Sequence, residues 1–310
     1  MRASALVLVA LAVALSSRAP ASASRTTVRD LIPTHALATD LPVTRQHHYR
    51  MAGKVRMFLL WVGREDVGAA VINWRGGGRD RAYELLIGSD PSKAPGQLNK
   101  WGYLVEEIRG ADASVVGLIS KDNEDQLSDV KEGLAPRQTR RPFDTVRGGI
   151  SYTEAYARVG TLFAPGNLTY RDAPAVLGLV LEDKTKPVKR LPRPGGVRSG
   201  FLTSLTELIE TTLTDQERAK SVEVEPIPYV HGDRLFELRL LETTSLPRFE
   251  LDGRVFERVT RSRFETARVG YARGTRFELV YGASGHLAGI PILVSYQPKW
   301  WLQVDLVLQK

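Results

Sequence analysis

Short apolar runs closed by glycine-rich or acidic turn residues recur at both ends of this chain, and they restrict its fold more than any other feature. Val55–Val62 is the first, followed by Gly63–Arg64–Glu65–Asp66, which has the composition of a turn. Val67–Trp74 is the second, and Gly76–Gly77–Gly78 separates it from a third, Ala82–Ile87. Runs of this length, rich in Val, Ile, Phe and Trp, read as neighbouring strands of an antiparallel meander. The signal returns after Leu235, where Phe236, Leu238 and Leu240 alternate with Glu237 and Arg239. Asp252–Gly253 lies between Phe249–Leu251 and Arg254–Val259, a strong two-residue hairpin pattern. Arg273–Gly274 reads as the next turn, ahead of Phe277–Tyr281. In the last run Leu302, Val304, Leu306 and Leu308 share one face, with Gln303 and Asp305 on the other.

The middle has helical spacing. Asp122 opens a segment carrying Leu127, Val130 and Leu134, and Asp172 with Pro174 opens a short helix through Val176 to Leu181. The clearest helix spans Ser204–Lys220, with Ser204 and Glu207 as a capping box and Leu205, Leu208, Ile209 and Leu213 as one stripe. The expectation is an α+β protein dominated by antiparallel β-sheet, curled into a barrel or clam, with a few covering helices.

The N-terminus carries an address. Arg2 precedes an unbroken apolar run, Ala5 to Leu15, and Ala21–Ser22–Ala23 has the A-x-A form of a cleavage site. That run is shorter than the roughly 20 residues that span a bilayer. Residues 1–23 therefore read as a signal peptide, 24–48 as a leader or tether, 49–200 as the meander plus the helical middle, and 201–310 as a helix followed by a sheet. One domain over 49–310 is the alternative. The chain has no cysteine, so it has no disulfide, thiolate metal site or cysteine nucleophile. An exported protein without cysteine fits a bacterial periplasm or exterior. The net charge of +8 falls to +6 when Arg2 and Arg18 leave with the signal. Outside a membrane this excess favours anionic surfaces such as lipid headgroups, and nucleic acid is not an expected partner.

Candidate sites are few. Between 184 and 198, Lys184, Lys186, Lys189, Arg190, Arg193 and Arg198 sit among three prolines with no acid, an extended basic loop able to lie on an anionic surface. Trp300–Trp301 follows Tyr296, and adjacent strand residues face opposite ways, so one tryptophan is available to a ligand. Trp101 leads into Glu106–Glu107, the outline of a glycosidase acid beside a stacking ring. Such an enzyme needs a second carboxylate, for which Asp66, Glu84 and Asp90 are candidates. His231–Gly232–Asp233 and Ser284–Gly285–His286 hold triad residue types, without a G-x-S-x-G elbow. The five histidines show no local metal-ligand spacing, and the triple glycine lacks the Gly-Lys-Ser/Thr of a phosphate loop, so no metal and no cofactor is expected.

The exported N-terminus, the meander VRMFLLWVGREDVGAAVINW and the closing AGIPILVSYQPKWWLQVDLVL together resemble exported bacterial envelope proteins with a β-rich domain of unknown function. The resemblance implies a half-barrel or clam-like fold of the kind used by periplasmic lipid and lipoprotein carriers, and it carries no functional residue. The functional expectation is non-enzymatic binding of an apolar or amphipathic ligand, such as a lipid or other envelope component. A carbohydrate-active hydrolase and an assembly factor pairing through sheet edges are the alternatives.

Overall fold

The computed structural model describes residues 40–57, 60–94, 97–120, 140–150, 155–174, 176–177, 189–191, 198, 200–217, 224–299 and 302–309. It is an α+β fold dominated by a single antiparallel sheet. The strands are β1 (Val43–Met57), β2 (Leu60–Gly77), β3 (Asp80–Ser89), β4 (Trp101–Arg109), β5 (Asp112–Ser120), β6 (Arg140–Ile150), β7 (Ala155–Pro165) and β8 (Lys189–Leu191). Helix α1 (Phe201–Glu217) then leads to β9 (Ile227–His231), β10 (Arg234–Leu251), β11 (Arg254–Arg268), β12 (Thr275–Gly282), β13 (Pro291–Lys299) and β14 (Leu302–Leu308). Each half is a meander, and β14 pairs with β1 from Tyr49↔Leu308 to Val55↔Leu302. The order is therefore β8 back to β1, then β14 back to β9, and the sheet crosses residue 200 without interruption.

Turn chemistry explains where the sequence pattern holds and where it misleads. Asp252 and Gly253 form the β10–β11 turn with φ of 52° and 69°, the left-handed pair that a two-residue hairpin needs. The triple glycine ends β2 in a turn at Gly78. Gly63–Asp66, in contrast, is not a turn. It lies inside β2, where the register slips between Met51↔Gly68 and Gly53↔Arg64 and Asp66 takes φ 59°. A bulge needs the same permissive residues as a turn, so composition alone confuses the two. Strand β1 opens at Val43, within the segment read as a leader or tether. The turn after β11 falls at Gly270, not at Arg273–Gly274. The helix expected from Asp122 lies outside the described residues.

The inner face carries the main core, with Tyr49, Met51, Leu85, Leu104, Phe264 and Leu279 all buried. Helix α1 sits in the concavity and reaches both halves of the sheet. Its Phe201 packs edge-on against Tyr229 and Phe277, and its Thr212 bonds the Tyr281 hydroxyl. Leu208 is fully buried, worth about 1.5–3 kcal/mol by itself. The helix thus fills the curl.

Outside the sheet, Trp101, Tyr103, Val105, Val116, Leu118 and Phe143 form a second cluster under Leu168, Ala173, Val176 and Leu177. Strand β4 is consequently buried on both faces, which accounts for its near-continuous apolar sequence. Thr169 caps a single turn, Tyr170–Asp172, with Asp172 reaching back to the Thr169 N–H to complete a capping box, and Ala173, Pro174, Val176 and Leu177 follow it in helical conformation, within the short helix read from Asp172.

The sheet does not close into a barrel. Its ends overlap. Tyr229 and Phe236 face the main core, while Val230 and Leu235 point the other way and pack on Ala155, Ala157 and Leu191 of β7 and β8. The Arg198 N–H donates to Pro228 O and the Val230 N–H to Arg198 O, bonds that cover part of the free edge of β9.

Candidate functional site

The overlap leaves an open cavity of about 440 Å³ between the inner faces of β4–β7 and the β9–β10 hairpin. Cross-strand pairing places Leu104, Gly117, Val146 and Val159 in one row on that inner face, and Ile119, Asp144 and Thr161 in the next. Gly117 keeps the row open, because a Cβ there would lie 2.9 Å from Leu104 Cδ1. Phe236 closes the opposite wall, and His231, Asp233 and Arg234 bring polar groups to the rim. The lining is mainly apolar with a few convergent polar groups, the usual composition of a small-molecule site.

His231 packs edge-on against Phe236, 5.3 Å between ring centroids. Burial pushes its pKa down to about 4, so the ring is neutral at pH 7. Asp233, on the turn itself, accepts a 3.0 Å hydrogen bond from Lys189 of β8. Lys189 and Arg234 hold its carboxyl below the usual range. This ion pair joins the two overlapping ends of the sheet.

The predicted glycosidase elements serve the scaffold. Glu106 is fully buried and faces inward beneath α1. Its carboxylate accepts the Leu202 N–H at 2.8 Å, the Thr203 N–H at 2.7 Å and the Thr203 hydroxyl at 2.8 Å. It therefore satisfies donors that a helix start leaves open, and places negative charge at the positive end of the helix. Burial pushes its pKa up, against the pull of those hydrogen bonds.

The predicted capping box does not form. Ser204 lies within the helix and donates to Gly200 O, and Glu207 pairs with Arg198. Glu107 bonds Arg109 near the surface. Trp101 is buried against Phe143, centroids 4.6 Å apart, with Nε1 donating to Leu168 O.

The possible partners of Glu106 lie elsewhere. Glu84 pairs in register with Val105 and Glu106 with Tyr83, so the two carboxylates occupy opposite faces of the sheet. Glu84 is buried among Asn73, Arg75 and Tyr103, whose hydrogen bonds outweigh burial and hold its pKa below the usual range. Asp66 pairs with Lys93, and Asp90 bonds Ser92.

The remaining candidates are dispersed. Tyr296 is buried in the main core. Lys189 and Arg190 are exposed on β8, and Arg198 grips Glu207. Lys184, Lys186, Arg193, Trp300 and Trp301 lie outside the described residues. Among the described residues, no three His, Asp or Glu side chains are placed to hold a metal ion, and no helix is long and apolar enough to cross a membrane. The seam cavity was not foreseen. Its walls come from six strands in both halves of the chain, and only the alternating pattern of each strand hinted at them. No protein-family model, curated protein or solved structure matches this chain.

Proposed function

We propose that the protein is a non-catalytic carrier or sensor whose seam cavity takes an apolar or amphipathic ligand in an exported, extracytoplasmic setting. The carrying observation is the cavity of about 440 Å³, apolar along Leu104, Val146, Val159 and Phe236, with Asp144 and Thr161 in its wall and His231, Asp233 and Arg234 on its hairpin side. Two further features support the reading. Val159 remains 40% exposed and Phe163, four residues along the same face, 56% exposed, so apolar surface continues out of the cavity mouth. Among the described residues the overlapping ends are held by a small apolar cluster and the Lys189–Asp233 ion pair, a join of side chains that can part without breaking strand hydrogen bonds.

Mass spectrometry of an organic extract, from protein purified without detergent, tests the reading first. A stoichiometric lipid or other amphiphile is expected. Titration with an uncharged fluorescent fatty-alcohol analogue then compares the native chain with Val146→Trp, which fills the cavity and is expected to weaken binding at least tenfold. An empty extract together with no saturable probe binding by the folded protein refutes the proposal.

A further inference from the structure

A second open cavity, of about 470 Å³, lies beside the other half of α1 and shares no lining residue with the seam. Arg45, Trp74 and Tyr83 stand in one cross-strand row on the inner face, and Arg81 lies two residues from Tyr83 on the same face. Opposite them are Thr206, Ile209, Leu213 and Thr214 of α1.

The two arginines are unmatched. Arg75, on the other face of the sheet, is neutralised by Glu84. Arg45 and Arg81 have no carboxylate within ion-pair distance among the described residues. The Arg81 Nε is buried and has no hydrogen-bond partner there. A buried N–H of a charged group is costly to leave unpaired, so an orphaned one points to water, an ion or a ligand beside it. His47, edge-on to Trp74 at 5.5 Å between centroids, holds another buried nitrogen without a partner.

We infer that this cavity binds an amphipathic organic anion, its headgroup held by Arg45 and Arg81 and its apolar part laid on Trp74, Ile209 and Leu213. Guanidinium forks suit a carboxylate or a phosphate headgroup equally. The aromatic and aliphatic wall gives a ligand with a tail an advantage that a free inorganic anion lacks. Glu210 is the one acid lining the cavity, and it opposes an anion at the rim. The inference does not rest on the seam reading, since either cavity can be empty while the other is filled.

Calorimetric titration with decanoate, acetate and inorganic phosphate tests it at low and high salt. Decanoate is expected to bind at least tenfold more tightly than acetate or phosphate, with affinity falling as salt rises. Arg81→Gln and Arg45→Gln are each expected to weaken decanoate about tenfold, while Val146→Trp in the seam leaves this binding unchanged. Glu210→Gln is expected to tighten it two- to fivefold, a gain that misfolding cannot produce. Equal affinity for decanoate and acetate overturns the tail site, and full binding by both arginine variants overturns the headgroup site. Loss of binding in Val146→Trp alone assigns the ligand to the seam and also overturns the inference.

Discussion

Replacing Glu106 by glutamine tests the central claim about how the helix is held. Each carboxylate oxygen of Glu106 faces a backbone N–H, from Leu202 at 2.8 Å and Thr203 at 2.7 Å. A glutamine amide keeps one oxygen, so whichever way it turns, its NH2 confronts one of those two donors. The side chain is fully buried and water cannot substitute. One buried, unsatisfied N–H costs about 1–3 kcal/mol, and the lost interaction with the helix end adds up to about 1 kcal/mol, so the expected loss is about 2–3 kcal/mol.

The pH dependence gives an independent sign. Burial raises the folded-state pKa of Glu106, so its contribution is complete below the ordinary carboxyl range and declines as pH rises through the raised value. The gap between the native chain and Glu106→Gln should therefore be wider at pH 5 than at pH 8. Urea unfolding followed by circular dichroism at the two pH values measures both quantities. Equal stability at both pH values, within about 0.5 kcal/mol, would show that the helix start does not depend on this acid, and a gap that grows with pH would show that the hydrogen bonds to the carboxylate outweigh its burial.

Further outcomes follow from the same geometry. Gly200→Ala places a Cβ 2.3 Å from Glu106 Oε1 and should cost about 1–3 kcal/mol in the same assay, with no added loss in Glu106→Ala, where the space is free. Glu84→Gln leaves Arg75 buried without its carboxylate and should cost about 3–5 kcal/mol at pH 7. Because the Glu84 pKa is lowered, that cost should shrink as pH falls through its folded value, and thermal melts at pH 7 and pH 3 check this. His231, with a pKa pushed down to about 4, favours the fold while neutral. The stability it lends is full above its unfolded value of about 6.5 and is lost toward pH 4, so His231→Phe should flatten the melting temperature across that window. Asp233→Asn removes a half-exposed ion pair and should change global stability by less than about 1 kcal/mol, while hydrogen exchange in β8 and β9 quickens.

Local signals were legible where the chain answers to its neighbours in sequence. Asp252–Gly253 makes its hairpin, and the alternation from Phe236 to Leu240 and from Leu302 to Leu308 marks true faces, because strand period and turn chemistry need no distant partner. Gly63–Asp66 misled because a bulge and a turn ask for the same residues. Ser204 and Glu207 have the spacing of a capping box, yet Arg198 takes Glu207 and the helix begins three residues sooner. The acid that caps it, Glu106, stands 96 residues before Leu202, so no local pattern records the pairing. The two cavities are hidden for the same reason. Each joins strands and helix positions that become neighbours only after the sheet curls.

The pairing of β1 with β14 also sets an order on folding. The first strand of the sheet meets the last, across more than 240 residues of chain, and this contact joins the two meanders. Loop closure over such a distance comes late, so until β14 is available β1 presents a long open edge. A chain delivered from its N-terminus passes through a state with β2–β8 assembled and that edge bare, a template for pairing with a second copy. A guard for β1 during synthesis, or speed in completing the chain, is thus a requirement written into the topology.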